Sequence, residues 1–247
     1  MRIVCWFSCG AASAVATKLA IANKGDRELV IAYTQVEEEH PDNQRFLRDC
    51  ERWFGQDVVI LRNEKYNCSI NEVFAKEKYM GGIMGAPCTR LLKRELRMKF
   101  QRPDDIHVFG FTAEEQHRID RFIDANNYAE IWPVLVEHGL TKQDCLAMVE
   151  RAGIEIPVMY KLGYRNNNCI GCVKGGAGYW NKIRNDFPDV FKLRCEQSRK
   201  LGARIVKVKG ERLFLDELPI DAGDYPKEEA IQCGILCELA EKDIRGC

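Results

Sequence analysis

The chain opens on five consecutive apolar positions, Ile3, Val4, Cys5, Trp6 and Phe7, and then breaks into small residues, Ser8-Cys9-Gly10-Ala11-Ala12-Ser13. Apolar runs recur at residues 29–33, 58–61, 107–111 and 130–133, and their continuity reads as strands covered on both faces. Between them, residues 14–23, 43–54, 89–98 and 118–125 carry helix-like patterns. Strand and helix alternate, so the predicted fold class is α/β, a doubly wound and mostly parallel five-stranded sheet. A further helix is expected over residues 142–152. After about Gly153 the texture changes: glycine, asparagine and cysteine crowd into "KLGYRNNNCIGCVKGGAGYW", and only short strand-like pieces follow, at 203–207 and 212–215. The expected division is therefore residues 1–160 as an α/β domain and residues 161–247 as a cysteine-rich C-terminal extension packing on it.

Composition narrows the function classes. The 247 residues are 46% hydrophobic and 30% charged, enough to bury a sizeable core. Lys and Arg total 37 and so do Asp and Glu, so net charge implies no bulk affinity for polyanions and leaves only a local basic patch open. No apolar run approaches the roughly 18 residues of a membrane span, and the chain enters a strand at once, so a cytoplasmic location without a membrane partner is expected.

Twelve cysteines are many for such a chain. In a reducing compartment clustered cysteines read as metal ligands or reactive thiols, and isolated ones as small apolar residues. Cys5, Cys50, Cys68, Cys145 and Cys195 fit the second description. Cys169-Ile-Gly-Cys172 puts two thiolates within reach of one metal, and Cys233-Gly-Ile-Leu-Cys237 offers a second pair. Four thiolates suit a closed zinc site or a [4Fe-4S] cluster, and spacing alone favours zinc. Cys247 is expected to be a terminal thiol. The glycines Gly175, Gly176 and Gly178 could belong to a lid over a metal, or to a helix whose Trp180 and Phe187 pack into the core. His40, His107, His117 and His138 show no ligand spacing and are expected to be exposed or locally hydrogen-bonded.

The loop after the first strand presents backbone N–H groups and a helix N-terminus, the arrangement that favours phosphate, although capping alone also selects Ser and Gly there. It is no Walker loop, because Gly-Lys-Ser/Thr is missing. Residues 8–13 resemble the Ser-Gly-Gly-x-Asp-Ser pyrophosphate loop of the PP-loop, or adenine nucleotide alpha hydrolase, superfamily, with cysteine in the second position and alanine in place of the aspartate. Three other segments resemble that superfamily's iron–sulfur, phosphoadenosine phosphosulfate (PAPS) reductase-like branch. "GFTAEEQHR" is similar to Gly-x-Arg-x-x-Glu-Ser-x-x-Arg, with Thr112 where arginine is common. "PCTRLLKREL" is similar to the cluster-cysteine segment Cys-Thr-x-x-Leu-Lys. Residues 131–172 follow the branch's order through Ile-Pro-x-x-Tyr and Gly-Tyr-Arg to Cys-x-x-Cys.

The resemblance spans about residues 2–180. It implies a nucleotide at the carboxyl ends of the strands, with Ser8, Cys9, Gly10, Ser13, Thr34, Gly110, Thr112 and Glu115 (or Glu114) around it. It shifts the metal reading toward a [4Fe-4S] cluster held by Cys88, Cys169, Cys172 and provisionally Cys237. It implies an adenine-nucleotide substrate (PAPS, adenosine phosphosulfate or ATP) and sulfur chemistry. In sulfonucleotide reduction the Cys233 thiolate would attack sulfate sulfur while Lys93 and Arg118 balance the anionic charge, with a thioredoxin-like reductant as partner. The roles of Cys233 and Cys237 can be exchanged, since Gln232 and Leu236 depart from the reductase tail. Alternatively, the enzyme is an ATP-dependent sulfur transferase acting on a nucleic-acid base, or the chain is a non-catalytic nucleotide-binding redox regulator. A homodimer is compatible with each reading.

Overall fold

The computed structural model describes residues 1–81, 85–125, 129–228 and 231. Five strands form one all-parallel sheet in the order β3-β2-β1-β4-β5: β1 Ile3–Phe7, β2 Leu29–Thr34, β3 Val59–Leu61, β4 Ile106–Val108 and β5 Glu130–Ile131. An antiparallel pair, β6 Val206–Val208 and β7 Glu211–Leu213, stands apart from it. The helices in the first half are α1 Ala11–Asn23, α2 Asn43–Phe54, α3 Ile70–Glu77, α4 Pro87–Thr89 and α5 Glu95–Phe100. They continue as α6 Gln116–Ala125, α7 Val134–Glu137, α8 Lys142–Arg151, α9 Val158–Lys161, α10 Ala177–Asp186 and α11 Pro188–Lys200. Among the described residues no helix is long and apolar enough to cross a membrane.

The chain divides into two compact units: residues 1–35, 40–62 and 96–167 form the first, and residues 36–39, 63–95 and 168–247 the second. The second unit therefore collects a short piece after β2 and a longer one after β3 as well as the cysteine-rich C-terminal part.

In the first unit β1 is central, and all five of its residues are buried. Successive side chains of a strand point to opposite faces. Ile3, Cys5 and Phe7 join Val15 and Ala20 of α1, Phe46 and Phe54 of α2, and Cys145 and Val149 of α8 in one core. On the other face Trp6 lies against His107, Phe109 and Phe100 at ring separations of 6.1, 6.4 and 6.0 Å, and Phe109 packs on Phe122 of α6 at 5.3 Å. Helices thus cover both faces, the condition under which a parallel sheet is stable and its strands read as unbroken apolar runs. His107 is buried rather than exposed: the Trp6 indole N–H donates to its Nδ1 at 3.0 Å. Burial and the Arg97 cation push its pKa down to about 4.

Several element boundaries differ from the pattern, among them the following three. β4 stops at Val108, so Phe109 to Phe111 leave the sheet although they are apolar. α1 begins at Ala11, three residues earlier than its apolar spacing indicates. The helix expected over 89–98 starts at Pro87, which suits the first helical position, and passes through a π turn at Arg90–Arg94 before α5.

The second unit contains α3, α4, the π turn, α10, α11 and the β6–β7 pair. Trp180 of α10 is fully buried, as a core aromatic should be. The glycines before it are explained by close packing. A Cβ on Gly175 would lie 1.9 Å from the Tyr179 ring, and one on Gly178 would lie 2.4 Å from the Tyr225 backbone nitrogen. Glu228 accepts from the Gly178 and Tyr179 N–H groups at 2.6 and 3.0 Å and so caps α10.

Candidate functional site

In the first unit the strand order reverses beside β1, with β2 on one side and β4 on the other. Open α/β sheets bind ligands outside the carboxyl ends of the strands at such a switch point. The loops that leave β1 and β4 there are Ser8–Gly10 and the segment from Phe109 to Arg118.

The first loop is held by its own hydroxyls. Ser13 Oγ accepts from the Ser8 N–H at 3.1 Å, lies 3.1 Å from Ser8 Oγ and donates to the Gly10 carbonyl at 2.9 Å. Cys9 adopts φ 53°, a left-handed conformation unfavourable for a side chain with a Cβ, and its thiol is buried. The Asn167 amide, itself buried, stabilises that turn by donating to the Cys9 carbonyl at 2.6 Å and to Asn43 Oδ1 at 2.7 Å. Gly10 is the N-cap of α1 and supplies no side-chain cap. The Ala11 N–H and the Asn167 N–H both point at the Tyr160 hydroxyl, whose pKa burial pushes up to about 12. The N–H groups of Ala12 and Ser13 belong to the first turn, which has no intrahelical acceptors. Gly110 approaches that turn so closely that a Cβ would sit 2.5 Å from the Ser13 nitrogen.

After β4, Thr112 is buried and caps the turn Ala113–Glu115, with Glu115 accepting from the Thr112 N–H at 3.1 Å. Glu115 also holds Arg118, whose guanidinium lies 4.8 Å over the Phe111 ring. The Lys142 ammonium donates to the Arg165 carbonyl and to Asn166 Oδ1 and lies 5.6 Å over the Tyr160 ring; burial holds its pKa below the usual lysine value. Thr34, at the end of β2, is buried.

The second unit gathers the other candidates. Cys88 of α4, Cys169 and Cys172 are all buried and line one narrow cavity, walled by Val36, Ile70, Phe74, Leu92 and Val173. The Cys169–Cys172 turn is held at several points. Gly171 supplies φ 69°, as a tight turn requires. The Ile170 N–H donates to the Glu38 carbonyl at 2.8 Å, and the Tyr179 hydroxyl accepts from the Cys172 N–H at 2.9 Å and donates to the Cys169 carbonyl at 3.3 Å. The Glu38 carboxylate meanwhile accepts from Ser69 Oγ and from the Ile70 and Asn71 N–H groups at 2.6, 2.7 and 3.1 Å, anchoring the start of α3.

Two cations stand by these cysteines, one in the cavity wall and one bonded to the Cys169–Cys172 turn. Lys93, on the π turn, contributes to the cavity lining and pairs with the buried Glu39 at 3.2 Å. Arg194 of α11 is 1% exposed and donates through Nε to the Gly171 carbonyl at 3.1 Å. Burial lowers its pKa, opposed by the charges of Glu38 and of the Cys88, Cys169 and Cys172 thiolates. The donor set fits a soft metal group: three buried sulfurs, an apolar wall and the Arg194 cation to balance thiolate charge. Among the described residues no three His, Cys, Asp or Glu side chains stand close enough to hold a single metal ion. Cys233, Cys237 and Cys247 lie outside the described residues.

Each unit therefore brings together its own share of the residues singled out from the sequence: Ser8, Cys9, Gly10, Ser13, Gly110, Thr112, Glu115 and Arg118 in the first, Lys93, Cys88, Cys169 and Cys172 in the second. Sequence reasoning missed the residues that hold them, Asn43, Lys142 and Asn167 in one and Glu38, Tyr179 and Arg194 in the other. Only the Asn166-Asn167-Asn168 run stood out by composition. The isolated cysteines Cys5, Cys50 and Cys145 are core residues: burial raises all three pKa values, that of Cys145 to about 12.

No family model and no curated protein matches the chain. Among solved structures it is similar to the U34-tRNA thiolase NcsA from Methanococcus maripaludis with its [4Fe-4S] cluster, at a TM-score of 0.42 and 10% identity, over 81% of this chain and 69% of that one.

Proposed function

We propose that the protein is an iron–sulfur enzyme of the PP-loop type that binds an adenine nucleotide and transfers sulfur to a nucleic-acid base. The observation that carries this reading is the convergence of Cys88, Cys169 and Cys172 on one apolar cavity. Three soft thiol donors on one apolar cavity suit a [4Fe-4S] cluster, and a closed zinc site is the alternative that metal analysis distinguishes. In this reading Cys88, Cys169 and Cys172 hold a [4Fe-4S] cluster, with Cys237 or Cys233 as the candidate fourth ligand. When bound, the cluster supplies iron-held sulfur chemistry that no side chain can provide.

The chain's own residues bind and orient. The Ala12 and Ser13 N–H groups in the first turn of α1 are the donors offered to phosphate, while the Ser8 and Ser13 hydroxyls hold the loop in shape. Arg118 and Lys142, near the β4 segment, add cationic charge for an anionic leaving group. Val36, Ile70, Phe74 and Leu92 keep water from the thiols, while Arg194 compensates thiolate charge and Lys93 neutralises the buried Glu39. Sulfur transfer is preferred to sulfonucleotide reduction because Gln232 and Leu236, on either side of Cys233, depart from the tail that the resemblance requires of a reductase nucleophile.

The test is anaerobic isolation followed by parallel assays. About four irons per chain are expected, with AMP, pyrophosphate and a thiolated base formed from ATP, a sulfur donor and RNA. Sulfite from PAPS or adenosine phosphosulfate would establish the reductase instead. A colourless protein with one zinc would remove the cluster, and nucleotide binding without turnover of any substrate would leave a regulator.

A further inference from the structure

The chain is neutral overall, yet residues 200–212, from the end of α11 through the β6–β7 hairpin, carry five basic side chains, Lys200, Arg204, Lys207, Lys209 and Arg212, against one acid, Glu211. All five are exposed, and none makes an ion pair with another described residue. Their neighbour Arg199 shows what the chain does when it neutralises a base: it pairs with Asp216 at 2.9 Å and Glu217 at 2.8 Å.

The hairpin register sharpens the contrast. Val206 pairs with Leu213, Lys207 with Arg212 and Val208 with Glu211. Because side chains alternate along a strand, buried Val206 and half-buried Leu213 anchor the inner face, and the exposed Lys207 and Arg212 stand side by side on the outer one. Like charges directly opposite one another destabilise an antiparallel pair. The turn adds a second unfavourable choice. Lys209 and Gly210 have φ values of 49° and 93°, the two-residue turn in which Asn or Asp normally precedes Gly, and here a lysine occupies the left-handed position. Folding alone would select neither feature; an anionic partner lying along the outer face would offset both.

We infer that the outer face of the β6–β7 hairpin, with Lys207, Lys209 and Arg212 at its centre, is a docking surface for the phosphate backbone of RNA. The inference rests on the proposal that a nucleic-acid base is the sulfur acceptor, and it identifies the part of the chain that would hold that acceptor. Phosphate contacts of this kind supply affinity and register without reading sequence.

The test uses the full chain, fluorescently labelled bulk tRNA as probe, and the variant Lys207→Ala/Arg212→Ala. These positions are exposed and lie outside the thiol cavity and the loops after β1 and β4, so the variant should fold and keep its ATP affinity. The expected result is at least tenfold weaker tRNA binding and a salt dependence shallower by about 1.8, two phosphates at roughly 0.9 each. Lys209→Gly should weaken binding while making the hairpin more stable. Equal affinity and salt slope in variant and wild type, with the wild type binding tRNA, would overturn the inference and leave the sulfur-transfer proposal standing. A wild type that binds no tRNA would overturn both. If polyglutamate of matched charge binds as tightly and is lost in the same variant, the surface is a general polyanion patch and the assignment to RNA fails.

Discussion

Replacing Arg194 with methionine separates two opposing effects whose balance depends on what the thiols carry. The guanidinium donates to the Gly171 carbonyl at 3.1 Å, to Gln197 Oε1 at 2.6 Å and to Asn71 Oδ1, all three neutral acceptors. Asn71 Oδ1 keeps a donor in the variant, because Gln197 Nε2 lies 3.0 Å away, and the half-buried Gln197 can turn toward water. The main uncompensated loss is therefore the Gly171 carbonyl, about 1–3 kcal/mol for a buried acceptor left unsatisfied. Against this, methionine removes a buried charge whose desolvation costs several kcal/mol. In metal-free protein the two nearly cancel, and the urea midpoint should move by less than the equivalent of about 2 kcal/mol. In loaded protein the balance changes, since thiolates then lose their buried counter-charge in a low-dielectric wall. Iron should leave the variant for a chelator at least tenfold faster, equivalent to about 1.4 kcal/mol. Arg194→Lys, which retains charge but not the planar fork, should fall between. Paired measurements of urea unfolding and chelator-driven iron loss decide the matter. Iron loss at the wild-type rate in Arg194→Met would refute the counter-charge argument, and a large loss of stability in the metal-free state alone would reduce Arg194 to a packing residue.

Two further outcomes follow from the first unit. His107 is held neutral, with a pKa of about 4 against 6.5 unfolded, so its contribution is complete above about pH 6.5 and is lost as pH falls through about 4. About 3 kcal/mol of stability should disappear across that window. Urea titrations in this range should show the decline, and a ring that titrates near 6.5 by NMR would contradict it. Gly110→Ala places a Cβ 2.5 Å from the Ser13 backbone nitrogen, which no rotamer can relieve. It should lower thermal stability and weaken ATP binding together, as read by calorimetry; unchanged values for both would mean that the β4 loop does not depend on this approach.

Short-range pattern determined a good deal of this protein. The unbroken apolar run Ile3 to Phe7 announced a central strand because a parallel strand is covered on both faces, and α2 runs from Asn43 to Phe54, as its periodicity requires. The five-stranded α/β class, the small-residue loop at the first strand end and the Cys169–Cys172 pair were all legible, since each depends on residues a few positions apart. What tertiary structure alone decided involves partners distant in sequence. Cys88 and Cys169 share a cavity across about eighty residues of chain. Glu38 anchors both α3 and the turn at Ile170, Arg194 reaches back to Gly171 and Asn71, and Asn167 props the loop at Cys9. Gly175, Gly176 and Gly178 looked like material for a lid, and the fold uses them to admit Tyr179, Glu228 and Tyr225 at close range. β4 could not be measured from its apolar run, because Phe109 and Phe111 are buried by packing against one another and against Phe122 after the strand has ended. Hydrophobicity reports that a side chain is buried, and the partner that buries it is settled only when the chain has closed on itself.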